Sequence, residues 1–261
     1  MFDVQSFHFS GQAEFHTMIL SLKKMILAAI FSMSAIFSAT ICPADVVVLD
    51  HVTTIDTPVR ITVLTKSRFF SDGGRRVDLY LEGKHLKRIL TGGDGYGYYK
   101  ITPRSPGYQK IKARSDSEST EGLLLVMTKT DQAIAIEVEQ GFKNAVFSEE
   151  IKQSSLKAVK TLSQKYKIIY LSRFVGKSIT AAWLEKQGYP ESVILGWRGA
   201  ATLTAMKKKG IQIEAIIGST AVLSAAAGVI EKRFTFEKTK DGTTVKNWDE
   251  ILEHLQEKHQ P

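Results

Sequence analysis

AIAIEVEQGFKNAVF, residues 133–147, is an apolar run that ends in two carboxylates, Glu137 and Glu139, with Gly141 and Phe142 close behind. Read as a strand, it points residues i and i+2 to the same side. Two acids at the C-terminal tip of a buried strand, facing a turn, are the layout of a phosphoryl-transfer site on an α/β sheet. Two later stretches belong to the same reading: IIYLSR at 168–173 and EAIIGSTAVLSAAAG at 214–228.

Around this stretch the pattern alternates between strand and helix. Strands are predicted at Ile134–Val138, Tyr166–Leu171, Val193–Leu195 and Ile213–Ile217. Helices are predicted from a Ser148 cap to Gln164, over Lys177–Gln187, from Ala200 to Lys209 and over Ser219–Ala227. Gly188 and Pro190 form a helix stop. Asn247 with Glu250 resembles a capping box before a last helix striped by Trp248, Ile251, Leu252 and Leu255. This order predicts a parallel sheet covered on both faces.

Upstream, residues 45–127 read as β. Short runs at Val46–Asp50, Val59–Thr65, Arg76–Leu81, Leu86–Leu90, Tyr96–Ile101, Tyr108–Ala113 and Leu123–Met127 are separated by Gly- and Pro-containing turns. About seven such runs predict a β-sandwich. LTGGDGYGYYKITP, residues 90–103, with Pro106-Gly107-Tyr108, resembles the Ig-like or carboxypeptidase-regulatory type of sandwich. Gly92–Gly97 lacks the Lys-Ser/Thr and the helix of a P-loop, and reads as a hairpin turn.

The motif order over 133–229 resembles the haloacid dehalogenase-like (HAD-like) superfamily, in its lipin-type or phosphatidylinositol-transfer-associated form. The resemblance implies a Rossmannoid α/β domain over 128–261 behind an all-β, Ig-like sandwich over 45–127. It puts Glu137 at the nucleophile position, Glu139 at the acid/base position and Ser172 at the phosphate-binding hydroxyl. Arg173, Gly218, Ser219 and Thr220 complete the implied phosphate site. TAAWLEKQG at 180–188 and Val193–Leu195 match the family's intervening segment.

The family's chemistry is depleted here. Both acids are Glu where the family has Asp, and a 1 Å misplacement costs on the order of 10²-fold. Gly218–Leu223 carries no acid, so the octahedral oxygen set that Mg²⁺ demands is incomplete. Arg198 and Lys207 compete for the third-motif cation. The leading expectation is a non-catalytic module that binds a phosphorylated small molecule or phospholipid headgroup at the cell envelope, without cofactor. The alternatives are a Mg²⁺-dependent phosphatase using Glu137, and a purely structural envelope protein. A third possibility for the two acids themselves is that they are simply solvated strand-end residues.

Composition sets the remaining bounds. Of 261 residues, 43% are hydrophobic and 24% charged, the make-up of a globular protein. Lys23-Lys24, the apolar Met25–Ile41 and Pro43-Ala44 read as a signal peptide within 1–44, preceded by a misplaced start. An N-terminal membrane anchor is the alternative. Cleavage after Ala44 removes Cys42, the one cysteine, and with it thiol catalysis and Cys-ligated zinc. The predicted location is periplasmic or extracellular, with peripheral membrane contact allowed. The six histidines, among them His8, His16, His254 and His259, show no metal spacing and read as surface residues. The net charge of +8 is spread along the chain, and no nucleic-acid motif accompanies it. Lys207-Lys208-Lys209 suits a helix C-terminus. The sequence gives no oligomeric state.

Overall fold

The computed structural model describes residues 45–66, 72–116, 118–143 and 150–256. The expected signal segment, Cys42 and the expected Ser148 cap lie outside the described residues.

The first half is a sandwich of two sheets. Its strands are β1 (Asp45–Val48), β2 (His51–Thr54), β3 (Val59–Lys66), β4 (Arg76–Leu81), β5 (Lys84–Leu90), β6 (Tyr96–Ile101), β7 (Gly107–Ser115) and β8 (Glu118–Met127). One sheet has the order β1-β3-β6 and the other β2-β8-β7-β4-β5. β7 shows the two-residue period that buries one face: Gln109, Ile111, Ala113 and Ser115 are buried, while Lys110, Lys112 and Arg114 are exposed. Val46, Val48, Ile61, Val63, Leu79 and Ile111 fill the space between the sheets. The Gly92–Gly97 segment is not the expected hairpin, because β5 and β6 lie in different sheets. Its glycines turn the chain across the sandwich, with Gly95 at φ +78°.

The second half runs β9 (Gln132–Glu137), α1 (Val138–Gly141), α2 (Ser155–Leu162), β10 (Lys167–Ser172), α3 (Lys177–Lys186), β11 (Val193–Gly196), α4 (Ala200–Lys208), β12 (Gln212–Ile217), α5 (Thr220–Ala226), β13 (Lys232–Thr235), β14 (Thr243–Thr244) and α6 (Trp248–Gln256). The strands pair in parallel in the order β11-β10-β9-β12-β13-β14. The central strand β9 is apolar on both faces, as a covered parallel sheet requires. Ile134 and Ile136 face α2, α3 and α6 together with Trp183 and Trp248. Ala133 and Ala135 face the other way, toward α4 and α5. α6 begins as its sequence predicts: the Glu250 N–H donates to Asn247 Oδ1 at 3.1 Å, and the Lys246 N–H donates to Glu250 Oε2 at 2.9 Å.

The expected two-domain architecture, an Ig-like sandwich followed by a HAD-like Rossmannoid domain, needs correction. Ala44–Pro261 is one compact unit, with more of its described residues in strands than in helices. Val52, Leu125 and Met127 of the sandwich share a core with Ala133, Ala135, Ile169 and Ile216 of the parallel layer. The parallel layer and the sandwich thus meet through a common apolar interior, beside a core of their own in each half.

Polar links run through the same seam. Asp50, between β1 and β2, is buried, and it accepts the Leu123 N–H at 2.7 Å and the Ile194 N–H at 2.9 Å. Its Oδ1 also pairs with Lys177 Nζ at 2.7 Å. Lys209 Nζ donates to the Val52 carbonyl at 2.9 Å, and Thr54 Oγ1 donates to the Lys209 carbonyl at 2.8 Å.

Candidate functional site

The parallel register brings the sequence-predicted residues to one end of the sheet: Leu171 lies beside Glu137, and Ile217 beside Ile136. Glu137 and Ser172 thus end two adjacent strands, and Gly218 directly follows the end of a third. The two carboxylates, however, are not i and i+2 of one strand. β9 ends at Glu137, and Val138–Gly141 turns helical, so Glu139 projects from a different backbone geometry. Both side chains are buried, which excludes the solvated strand-end reading.

Glu139 turns toward the β10–α3 loop. Its Oε1 accepts the backbone N–H groups of Arg173 at 3.0 Å, Phe174 at 3.1 Å and Val175 at 3.4 Å. The Ser172 hydroxyl lies 3.2 Å from the same oxygen, is within reach of Thr180 Oγ1 at 3.1 Å, and also donates to the Val175 carbonyl. Successive N–H groups that converge in this way form a concave anion site. Here the anion is the chain's own carboxylate.

Glu137 turns toward the start of α5. Its Oε2 accepts the Ser219 N–H at 2.6 Å. Gly218 must be glycine, because a Cβ there would stand 2.8 Å from that oxygen. Arg173 Nη1 reaches to 4.0 Å from Glu137 Oε1 and 3.4 Å from Ser219 Oγ. Burial raises the Glu137 carboxyl above the usual carboxylate range, against the Ser219 hydrogen bonds, which lower it; the Glu139 charge adds to the rise. The Thr220 N–H donates to Glu237 Oε2 at 3.1 Å. Glu237 and Thr180 are residues that the sequence reading did not single out. Thr180 opens the quoted TAAWLEKQG stretch but carries no role there, Glu237 sits in no motif, and only the fold brings them to this end of the sheet.

The donor set does not fit Mg²⁺. The two carboxylates serve different loops; one oxygen of each is occupied by N–H donors, and the other, Glu137 Oε1 and Glu139 Oε2, is buried without a hydrogen-bond partner, so the pair offers a cation two carboxylate oxygens. Among the described residues, no three His, Cys, Asp or Glu side chains converge on a metal position, whereas Mg²⁺ requires near-octahedral oxygen ligation. Lys207, one candidate for the third-motif cation, lines a recess with Gln132 and Gln212 at the opposite ends of β9 and β12. Arg198 follows β11, and its N–H donates to Thr202 Oγ1 at 2.8 Å. Neither is brought to Glu137.

These positions make one stability test direct. Glu137→Gln keeps the acceptor for Ser219 and removes a buried charge. A group whose folded pKa is raised favours folding below the ordinary carboxylate range, and that contribution is lost as pH rises through the raised value. The variant should therefore melt a few degrees higher at neutral pH, and its stability should decline less between pH 4.5 and 8. Thermal unfolding across that range checks this; an unchanged or lower melting temperature at pH 7 counts against it.

No protein-family model matches the chain, and no curated protein matches it. Solved structures resemble part of it. The D0-D1 domain of intimin aligns at 11% identity and TM-score 0.28, over 37% of this chain and 58% of that one. The CARDB domain of PF1109 from Pyrococcus furiosus aligns at 15% identity and TM-score 0.26, over 32% of this chain and 92% of that one. Domains 4 and 5 of the S-layer protein SbsC align at 11% identity and TM-score 0.26, over 31% and 44%. These likenesses are to β-sandwich domains and not to HAD-like enzymes. At such scores they carry no argument about function.

Proposed function

We propose that this protein is a non-catalytic structural or interaction module of the cell envelope, in which the oxyanion cradle of the parallel layer is closed by the chain's own carboxylates. One observation carries the reading: Glu139 Oε1 takes the three N–H groups of residues 173–175 and lies within reach of the Ser172 hydroxyl. A phosphate-bearing small molecule or phospholipid headgroup would need the same donors. This supports the structural alternative over the anion-binding one and over a Mg²⁺-dependent phosphatase. The Lys23-Lys24 and Met25–Ile41 pattern supports a periplasmic or extracellular place. Among the described residues, no helix is long and apolar enough to cross a membrane.

The test is to exchange the internal anion for an external one. Glu139→Ala leaves three N–H groups without an acceptor and should cost about 2 kcal/mol. Inorganic phosphate should restore part of that loss by binding the native state, while leaving the melting temperature of the unsubstituted protein unchanged. Amide shifts of Arg173–Val175 on phosphate addition to the unsubstituted protein would overturn the reading and return the anion-binding one. So would Mg²⁺-dependent phosphomonoester hydrolysis lost in Glu137→Gln, which would promote the phosphatase.

A further inference from the structure

A cleft of about 630 Å³ lies between the sandwich strands β1 and β8 on one side and α3 with its following turn on the other. That volume is within the range of small-molecule sites. Its apolar surface comes from both halves of the molecule: Val47 and Leu123 from the sandwich, Ala181 and Pro190 from the parallel layer, all of them half-buried. Tyr170 and Tyr189 also line it. Their hydroxyls are spent elsewhere, on the Pro190 carbonyl at 2.9 Å and on Ser155 Oγ at 2.7 Å. Both rings are themselves packed away, Tyr170 fully buried and Tyr189 stacked on Phe142 at 4.3 Å, so the tyrosines form the floor of the cleft and offer it no free hydroxyl.

The charges of the cleft are unequal. Four carboxylates, Asp50, Glu121, Glu185 and Glu191, face two amines, Lys110 and Lys177. Lys177 Nζ is held by Asp50 Oδ1 at 2.7 Å and by the carbonyls of Val48 at 2.9 Å and Glu121 at 3.2 Å. Lys110 Nζ lies 3.9 Å from Glu121 Oε2. Both amines are thus matched by carboxylates within the cleft. Glu185 and Glu191, both exposed, give the α3 wall its net negative charge. The cleft thus carries net negative charge on a chain whose net charge is +8, which favours cations there.

We propose that this cleft binds an amphipathic organic cation: a protonated amine or guanidinium carried on a flat apolar body. The body lies against the half-buried apolar surface of Val47, Leu123, Ala181 and Pro190. The charge is directed to the wall of Glu185 and Glu191. This inference is independent of how Glu137 and Glu139 are read, since neither lines the cleft.

The test uses two probes of one shape and opposite charge, tryptamine and indole-3-propionate, titrated into the protein and followed by backbone amide shifts. Tryptamine should shift the amides of Val47, Leu123, Ala181 and Glu191 and bind at least about tenfold more tightly than indole-3-propionate. The double variant Glu185→Gln/Glu191→Gln changes only exposed side chains, so its melting temperature should hold. Its affinity for tryptamine should fall about tenfold, the loss expected of two partly solvated charge contacts. Equal affinities for the two probes, shifts confined to other surfaces, or an unchanged affinity in the double variant would each overturn the proposal.

Discussion

Asp50→Ala is expected to lower the free energy of unfolding by about 3–5 kcal/mol, the cost of breaking a buried ion pair from one side. The substitution removes the acceptor of two N–H groups, Leu123 in β8 and Ile194 in β11, and leaves Lys177 without its carboxylate. Those partners come from the sandwich, the parallel sheet and α3, so one side chain holds three parts of the molecule together. Asp50→Asn, which keeps an acceptor but no charge, should lose an intermediate amount. Denaturant unfolding can be followed with two probes that see different parts. The three tryptophans, Trp183, Trp197 and Trp248, all lie in the second half, whereas far-UV dichroism reports the whole chain. A single compact unit predicts coincident transitions in the unsubstituted protein, displaced together in Asp50→Ala. A loss below 1 kcal/mol, or two separated transitions, would mean that the halves are independent and the seam is incidental.

His51 should make the protein acid-sensitive in a defined window. Its ring is mostly buried, Nε2 accepts the Thr62 N–H at 3.0 Å, and Lys209, Lys177 and Arg60 are near. Burial, then those cations, pull its pKa down from 6.5 to about 4. The sign follows from linkage: the unfolded chain binds the proton first. The His51 contribution is therefore fully present above pH 6.5 and is lost as pH falls from 6.5 toward 4. The gap corresponds to about 3 kcal/mol at most. Carboxylates titrate near the lower end of this window, so the informative quantity is the difference from His51→Gln, which can still accept from Thr62 but does not gain a proton. Subtracting the two stability profiles should isolate the His51 slope. Parallel profiles between pH 7 and 4.5, or a ring titrating above pH 6 by NMR, would refute it. The surface reading of all six histidines fails at this one, because a lone polar ring in a strand carries no sign in the sequence of what the fold lays over it.

Local pattern determined much of this molecule from sequence alone. The period-two runs of the sandwich, the strand–helix alternation after Thr128, the Gly188-Pro190 stop and the Asn247–Glu250 cap are short-range signals, and short-range sterics and hydrogen bonding enforce them. The alignment of Glu137, Ser172 and Gly218 at one sheet end was legible for the same reason, since parallel strands of similar length end together. Tertiary structure alone decided the rest. How the halves meet depended on Val52, Leu125 and Met127 sharing a core with β9 and β12, and an apolar residue in a strand does not state which sheet will cover it. The orientation of Glu139 depended on a helical turn after Glu137, where continued strand geometry would have kept the two acids on one side. The occupant of the N–H cradle depended on distance in space: Glu139 and Arg173–Val175 are more than thirty residues apart and meet within hydrogen-bonding range only because β9 and β10 pair in parallel. The sequence led to the expectation of a bound anion here; only the packed backbone decided that Glu139, a carboxylate of the chain itself, accepts these N–H groups, since a buried charge must find its donors wherever the fold presents them.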